Sequence, residues 1–401
     1  MNIAEIFSKS TCCGCGACVH ACPANAISYD KDEFGFIIPK VNHEKCISCG
    51  KCVRCCPYQS ADEQHKIEFT PVAYAALNVD PEIVKNSSSG GVFYSLAKRV
   101  IERQGVVFGA AMDDSFKVRH IFVESLLDLK KIQKSKYVQS FLGETYAKVK
   151  SFLKDDRYVL FSGTPCQIAG LNSFLQNRKY DNLLTVEVVC HGVPNQDLFD
   201  DYLKFLESKV GKIQEYIFRY KSKPGNGMKW YSSYRTEKKR FVRNWPEDSY
   251  NYYYMKSLIY RDSCYTCKFA SSKRNADITL CDYWHWTNLH KSDFKYSSSV
   301  SGIVVNSAKG MQTVKDISSN LQLIKSDFNY LASHNSCLVQ PCGIKEDRTP
   351  LLLKWKQEGF ASIDNAFNKK YGKQILKYRI LRYLPNFFLT ISHRIKSWKL
   401  R

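Results

Sequence analysis

Apolar and polar positions follow one pattern over residues 1–60 and another over the rest of the chain. Ala26–Tyr29 and Phe36–Val41 are short apolar-rich runs on either side of a turn that contains Asp and Gly, which predicts two short strands. Residues 59–69 are polar, which indicates a linker. The pattern therefore predicts a small N-terminal unit joined to a larger one.

Beyond residue 70 the pattern predicts strands that alternate with helices. Val92–Arg103 is predicted to be a helix because its apolar residues recur on one face and Gly105 follows its end, and Glu144–Lys154 is predicted to be another. Strands are predicted at Val72–Leu77, Val106–Ala110 and Val118–Val123, and buried strands at Tyr158–Ser162 and Leu184–Cys190. The last two strands each run into a loop that contains a cysteine. No apolar run is long enough to span a membrane.

The chain is strongly basic, with a formal net charge of +21 over 401 residues. Residues 1–60 hold six Lys or Arg and five Asp or Glu, so almost all of the excess lies beyond them. A positive surface attracts nucleic acid, anionic membranes, phosphorylated substrates or acidic redox partners. Composition alone does not choose among these classes.

Cysteine is abundant, and its placement matters more than its number. Ten of the 17 cysteines lie in the first 56 residues. The N-terminus has no apolar leader, so we expect a cytoplasmic protein in a reducing compartment. Clustered thiols in that setting serve metal or redox chemistry and not a disulfide framework.

Two copies of the motif C-x-x-C-x-x-C-x-x-x-C-P occur in this region. The first consists of Cys12, Cys15, Cys18 and Cys22, and the second of Cys46, Cys49, Cys52 and Cys56. Three thiolates on a tight glycine-containing loop bind three corners of one 4Fe-4S cluster, and the fourth cysteine of the motif binds the other cluster. We therefore expect one cluster on Cys12, Cys15, Cys18 and Cys56, and a second on Cys46, Cys49, Cys52 and Cys22.

This segment resembles the bacterial two-cluster ferredoxins. Cys13 and Cys55 lie outside the ligand spacing and are interpreted as spectators. A pair of zinc sites is the alternative, because C-x-x-C also binds zinc. Two complete copies with the terminal proline favour iron–sulfur clusters.

Two loops of the larger unit carry candidate site residues. Ser87–Gly91 precedes a predicted helix, where backbone N–H groups bind phosphate, although a serine N-cap with a glycine turn is the commoner explanation. Gly163–Gln167 follows a strand in the same way, and a tight strand-to-helix turn around a reduced cysteine is its alternative interpretation.

Several spaced motifs together resemble the coenzyme F(420) hydrogenase/dehydrogenase beta-subunit family over residues 70–345. They are Ser89-Gly90-Gly91, residues 136–140 (Lys-Tyr-Val-Gln-Ser), residues 164–167 (Thr-Pro-Cys-Gln), Cys190-His191-Gly192, the Cys264–Phe269 segment and residues 276–280 (Ala-Asp-Ile-Thr-Leu). The family commonly has Gly-Asp-Phe-Trp after the last motif, whereas this chain has Cys281-Asp282-Tyr283-Trp284.

The resemblance implies an FAD-binding domain that links iron–sulfur clusters to a two-electron substrate. It implies flavin or substrate contacts at Ser88, Ser89, Gly90, Gly91, Lys136, Tyr137, Gly163, Thr164 and Gln167. His191, Lys136 and Tyr137 are the candidate catalytic residues, with His191 as a proton donor. A hydrogen bond from His191 to a cluster sulfur or to backbone is an equal alternative.

A third 4Fe-4S cluster is also expected from the matching motifs. Its ligands would be Cys166 and Cys190, which follow predicted strands, together with Cys264 and Cys267. Zinc bound by four cysteines is the alternative. Cys281, Cys337 and Cys342 match no family position and are interpreted as structural.

The predicted fold class is α+β and α/β, in three parts. They are a ferredoxin-like domain at 1–60, a mixed α/β flavin and iron–sulfur domain at 70–350, and a basic amphipathic C-terminal segment at 351–401. Between Tyr216 and Tyr260, aromatic residues including Trp230 and Trp245 form either core or a surface that stacks on a ring substrate. Pro385 interrupts the basic segment, which predicts two short amphipathic pieces that either dock on the domain or bind an anionic membrane at the inner face.

The predicted function is an FAD- and iron–sulfur-dependent oxidoreductase. Its expected substrate is a small molecule or glycan precursor, as in surface polysaccharide synthesis, and its partner a redox protein such as ferredoxin. An electron-relay subunit of a larger complex and a coenzyme F(420)-linked oxidoreductase are the alternatives. A zinc-dependent nucleic-acid binder is supported only by cysteines and basicity, and nucleic acid is not an expected partner.

Overall fold

The computed structural model describes residues 1–59, 69–221, 231–294, 297 and 299–383, with side chains through residue 376. Its N-terminal unit consists of α1 (Ile3–Ile6), α2 (Ala17–Ala21), β1 (Ile27–Lys31), β2 (Ile37–Val41) and α3 (Lys51–Arg54). The two strands pair antiparallel, with Ile27 opposite Val41. Both strands expected from the sequence are present, each starting one residue later.

The larger unit contains two sheets. Its strands in chain order are β3 (Val72–Asn78), β4 (Val106–Met112), β5 (Val118–Val123), β6 (Val159–Gly163), β7 (Leu183–Val188), β8 (Ile213–Ile217), β9 (Tyr231–Thr236), β10 (Arg240–Asn244), β11 (Ile278–Asp282), β12 (Ser301–Val305) and β13 (Leu321–Ser326). The large sheet has the order β13-β3-β12-β11-β7-β6-β4-β5, and the small one has the order β10-β9-β8. Strands β11, β7, β6 and β4 are parallel, so their carboxyl ends share one edge of the large sheet.

Helices pack on the sheets. They are α4 (Pro81–Lys85), α5 (Val92–Glu102), α6 (Leu126–Ile132), α7 (Thr145–Lys154), α8 (Pro165–Phe174), α9 (Gln196–Val210), α10 (Ser249–Met255), α11 (Thr287–His290), α12 (Ala308–Asp316), α13 (Phe328–Ser333), α14 (Arg348–Glu358) and α15 (Phe360–Tyr383). Helix α5 buries Val92, Leu96 and Val100 on one face, which is the periodicity that predicts it. The mixed α/β class and the ferredoxin-type N-terminal unit expected from the sequence are confirmed.

The tyrosine-rich region forms hydrophobic core. The rings of Tyr202 and Tyr250 stack with centroids 5.0 Å apart, and both residues are buried. Trp245 stacks on Tyr252 in the same cluster, with centroids 6.3 Å apart. Two interpretations were left open for this region, hydrophobic core and a stacking surface. The described residues form core, and Trp230 lies outside the described residues.

The C-terminal helix docks on this aromatic core. Ile363 and Phe367 are buried, and the hydroxyl of Tyr253 donates to the carbonyl oxygen of Ile363 at 2.8 Å. The part of the basic segment before Pro385 was expected to be a short amphipathic piece. It is instead part of a 24-residue helix, because the apolar residues that pack on the core begin at Phe360. Residues 384–401 lie outside the described part of the chain. Within that part, no helix has the length and apolarity that crossing a membrane requires.

Candidate metal centres

One set of four thiols lines a cavity in the N-terminal unit. Cys12, Cys15, Cys18 and Cys56 all contribute to its wall. Burial raises the pKa of the Cys18 thiol well above its usual range, and the neighbouring thiols of Cys12 and Cys56 raise it further. The structure therefore brings together the four residues expected to bind one cluster, called here the inner set. Three of them belong to the first motif, and the fourth, Cys56, belongs to the second.

Glycine makes the inner loop possible. Gly16 has φ +73°, and a Cβ there would lie 2.3 Å from the hydroxyl oxygen of Tyr29. A side chain at this position would therefore clash and also strain the backbone.

The second set lies at the surface of the same unit. Cys22, Cys46, Cys49 and Cys52 form this outer set, in which Cys52 is buried and Cys49 is exposed. Burial raises the pKa of the Cys52 thiol, and the Cys22 thiol contributes in the same direction. Cys22 therefore lies with the second motif, as the exchange of fourth cysteines requires.

The two spectator cysteines differ in their surroundings. The Cys55 thiol donates to the carbonyl oxygen of Cys52, 3.4 Å away. The Cys13 thiol lies close to the thiols of both Cys15 and Cys166. Cys13 therefore stands between the inner set and the larger unit, a position that the ligand spacing gave no reason to expect.

A third set of thiols converges in the larger unit. Cys166 is the second residue of α8, Cys190 follows β7, and Cys264 and Cys267 lie on the loop after α10. Burial raises the pKa of the Cys190 thiol well above its usual range, and the thiols of Cys264, Cys166 and Cys267 each raise it further. All four residues expected in this set are thus neighbours, at the sheet edge where the parallel strands end.

The third set has features that suit an anionic metal cluster. Cys166 lies in the first turn of α8, at the positive end of the helix dipole. The surroundings are buried and apolar, with Ala169 and Phe269 packed against Cys166 and Cys267. Within the described ranges, no group of three or more His, Cys, Asp or Glu side chains is arranged to hold a single metal ion. Four cysteine thiols suit a 4Fe-4S cluster and a zinc ion alike, so the donor set leaves both metals open.

The turn at Gly163–Gln167 belongs to this third set. The Gln167 side chain accepts from the backbone N–H of Thr164 at 2.9 Å and so caps α8. The Thr164 hydroxyl lies 3.2 Å from the sulfur of Cys166. Gly163, Thr164 and Gln167 thus hold the Cys166 turn, and their proposed flavin contact finds no separate support in this geometry.

Two of the three candidate catalytic residues, Tyr137 and His191, have Asp282 as a common neighbour. Tyr137 stacks on Tyr254 with centroids 4.3 Å apart, and its hydroxyl hydrogen-bonds with Arg219. Arg219 forms a nearly buried ion pair with Asp282, at the end of β11. Burial lowers the pKa of His191, and the nearby Asp282 carboxylate partly opposes this.

A group of cations lies beside the Ser87–Gly91 loop. Lys221 donates through Nζ to the carbonyl oxygen of Ser89 at 2.7 Å, and the N–H of Ser135 donates to the hydroxyl of Ser88 at 2.9 Å. Burial and then Arg219 lower the pKa of Lys221 to about 7. Burial and then Lys134 lower the pKa of Lys136 to about 7. Both ammonium groups are buried and donate to backbone carbonyl oxygens, Lys136 to that of Gln133 and Lys221 to those of Val84 and Ser89.

The glycines of this loop have a packing role as well. The N–H of Gly90 donates to the hydroxyl of Ser301 at 2.8 Å, and a Cβ on Gly90 would lie 2.4 Å from the carbonyl oxygen of Ala76. Gly91 has φ +87°, which favours glycine. The loop is therefore fastened to the ends of β3 and β12, in agreement with the structural interpretation and without excluding a ligand at its N–H groups.

Sequence reasoning missed four charged residues of this edge. Arg219, Lys221 and Lys134 have no motif around them, and Asp282 was noted only as part of a departure from the family pattern. Lys134 carries one local signal, a φ of +65° that is unusual for a lysine, but a sequence does not display it.

Comparison with known proteins supports the expected family at the level of domains. Residues 156–329 match the family model for the C terminus of the coenzyme F(420) hydrogenase/dehydrogenase beta subunit, and residues 11–60 match a 4Fe-4S dicluster domain. No curated protein matches the chain. A similar solved structure, a xenon derivative of the F(420)-reducing nickel–iron hydrogenase complex from Methanosarcina barkeri, aligns with 14% identity and a TM-score of 0.43. That alignment covers 74% of this chain and 90% of the other.

Proposed function

We propose that this chain, in which a 4Fe-4S dicluster domain precedes a C-terminal domain of the coenzyme F(420) hydrogenase/dehydrogenase beta-subunit family, is the electron-relay subunit of a larger redox complex. One observation carries the proposal. The Cys13 thiol contacts Cys15 of the inner set and Cys166 of the third set, so two groups of metal-ligating residues meet across the domain junction.

The junction is buried and closely packed. Gly170 of α8 packs so closely on Cys15 that an added Cβ would lie 3.0 Å from its sulfur. The side-chain amide of Gln139 donates to the carbonyl oxygen of Cys13 at 3.2 Å. Clusters bound by the three sets would supply single-electron chemistry, and the residues around them keep the sets at a constant separation.

We assign iron and not zinc to the third set. Four cysteine ligands serve both metals, so ligand identity does not decide. The position of the set beside the inner ligand loop favours a redox-active group. A zinc ion at this place would stabilise the fold but carry no electrons.

A flavin-dependent oxidoreductase is the second candidate function. The cation group of Lys134, Lys136 and Lys221 beside the Ser87–Gly91 loop suits the diphosphate of a dinucleotide, and Tyr137 offers a ring near it. FAD bound there would collect single electrons and deliver a hydride to a substrate. A small molecule or glycan precursor is then the substrate, and coenzyme F(420) is the alternative.

Residues of this chain would assist such a reaction in defined ways. Burial keeps the imidazole of His191 neutral near pH 7, which suits it to accept a proton or to hydrogen-bond a substrate. The Tyr137 hydroxyl stays protonated because burial raises its pKa to about 12, so it acts as a hydrogen-bond donor. Arg219 holds Tyr137 in place through its ion pair with Asp282.

Cofactor analysis of anaerobically purified protein tests both functions. The relay function predicts about twelve irons per chain, no zinc, and clusters that a one-electron donor reduces. The oxidoreductase function additionally predicts a flavin released by acid and turnover of a two-electron substrate by the isolated chain. Zinc with about eight irons would contradict the third cluster, and protein without reducible iron would contradict the relay.

A further inference from the structure

The basic residues of the N-terminal unit divide into two groups by their partners. Lys9 pairs with Glu33, Lys31 with Asp197 at 2.7 Å, and Lys40 with Asp30 at 3.1 Å. The other three are Lys45, Lys51 and Arg54, and no carboxylate of the described residues pairs with them. The unpaired half of the positive charge is therefore confined to residues 45–54.

These three residues surround the outer set of thiols. Lys45 precedes Cys46, Lys51 precedes Cys52, and Arg54 donates through Nη2 to the carbonyl oxygen of Cys49 at 3.1 Å. Lys45 and Lys51 are exposed. Glu44 is the one acidic residue between positions 42 and 54. A positive rim thus encloses this ligand loop.

An apolar centre lies inside the rim. Ile47 is 65% exposed although it is apolar, and Cys49 is itself exposed. Ser48, between them, has a φ of +50°, an unusual conformation for serine. An exposed apolar residue within a charged rim is the usual composition of a protein contact surface.

The inner set has no comparable exposure. Its loop is covered by the larger unit, since Ser263 donates to the carbonyl oxygen of Cys12 at 2.9 Å and Gly170 packs on Cys15. Of the two thiol sets in the N-terminal unit, the outer one is therefore the one that a second protein can approach.

Resting on the proposed relay function, we infer that the surface of Lys45, Ile47, Cys49, Lys51 and Arg54, called here the outer face, docks a small acidic protein that carries one electron at a time. The unpaired lysines attract the carrier and orient it, and Ile47 forms the apolar centre of the contact. Electrons enter or leave the chain at the outer set because it is the nearest to this partner. Opposite charges raise association rates at low salt by about ten- to a thousandfold.

Charge reversal on the outer face tests the inference. The variants are K45E/K51E and the milder K45Q/K51Q, both with Arg54 retained because it supports the Cys49 loop. Stopped-flow absorbance measures the second-order rate constant of reduction by an acidic ferredoxin. We expect K45E/K51E to slow it about tenfold or more at low ionic strength and K45Q/K51Q to slow it less. Salt at about 0.5 M should bring all rates together.

A matched control distinguishes the effect of charge at the outer face from the effect of the net charge of the chain. K130E/K325E makes the same change in net charge at two exposed lysines of the larger unit, and it should keep the wild-type rate. Iron content and the extent of bleaching by dithionite confirm that each variant holds its clusters. Equal rates for K45E/K51E and wild type, or equal slowing by the control, would overturn the outer face and leave the relay standing. Clusters that no reductant bleaches would overturn the relay itself.

Discussion

The guanidinium of Arg261 donates through Nη1 to the carbonyl oxygen of Cys12, 2.8 Å away. Arg261 is buried, and it lies three residues before Cys264 on the same turn. The turn that carries two ligands of the third set therefore also holds the ligand loop of the inner set. The relative positions of the two sets depend on this contact.

Removing the Arg261 guanidinium should loosen the junction. Arg261→Met leaves the carbonyl oxygens of Cys12 and Ile37 without this donor, and losing charged hydrogen bonds of this kind costs about 2–3 kcal/mol. We expect a lower apparent melting temperature of the iron-loaded protein and slower electron transfer between the inner and third sets. Differential scanning fluorimetry and freeze-quench EPR measure the two effects.

Arg235→Met is the control for this substitution. Arg235 is exposed and its guanidinium bonds the side chain of Gln214, so its loss should change stability by less than about 0.5 kcal/mol. Identical melting and transfer rates for both variants would contradict the assigned role of Arg261.

Cys22→Ser should remove the outer cluster and spare the inner one. The reason is that the Cys22 thiol neighbours Cys52, whereas Cys18 neighbours Cys56. EPR of the reduced variant should lose the signal of the cluster on Cys46, Cys49 and Cys52, with about four irons fewer per chain. Cys55→Ser, a change outside both sets, should keep both signals. Loss of the inner signal in Cys22→Ser would mean that each motif binds its own cluster.

The sequence predicts local patterns better than it predicts contacts between residues that are distant in the chain. The cysteine spacing and the periodicity of Val92–Glu102 are local, and both led to the observed elements. The third set required motif resemblance, because its members lie up to 101 positions apart in the chain, between Cys166 and Cys267, and meet only through the order of the sheet.

Other features depend on tertiary packing that no local pattern encodes. The contact of Cys13 with Cys166 arises from the docking of α8 on the ferredoxin loop. The ion pair of Arg219 with Asp282 joins an element after β8 to the end of β11. The full length of α15 follows from aromatic residues far away in sequence, which bury its first turns.

Cys264→Ala should remove one whole cluster from the larger unit. Its thiol is a near neighbour of Cys267 and Cys166, and three thiolates retain a 4Fe-4S cluster poorly. We expect about four irons fewer per chain, with both ferredoxin-type EPR signals intact. Cys342→Ala, a half-buried cysteine outside the set, is the matched control and should keep all irons. Full iron content in Cys264→Ala would mean that no cluster binds there.

Flavin binding should weaken as pH rises through about 7. Burial lowers the pKa of Lys136 to about 7 in the free protein, so its amino group is neutral above that pH and charged below it. An anionic diphosphate binds the charged form better, and binding therefore takes up a proton. Fluorescence titration of the flavin-free protein with FAD should give a Kd that increases from pH 6 to pH 8.

Two variants identify the source of this pH dependence. Lys136→Met should bind FAD more weakly and with a flatter pH profile, whereas Lys130→Met, at an exposed lysine of α6, should retain the wild-type profile. An unchanged affinity and profile in Lys136→Met would remove Lys136 from the cofactor site.

The end of the chain is expected to bind anionic membranes. Residues 365–401 contain ten Lys or Arg and no Asp or Glu, and four of these cations lie in residues 384–401 together with Phe387, Phe388 and Trp398. Each basic residue near an anionic surface contributes about 1 kcal/mol.

Truncation after residue 364 would also remove Phe367, which packs in the aromatic core, so truncation after residue 383 is the cleaner change. In liposome flotation we expect the full chain to float with anionic vesicles, residues 1–383 to remain at the bottom, and neither to float with neutral vesicles. Equal flotation of the two proteins would show that residues 384–401 do not bind the membrane surface.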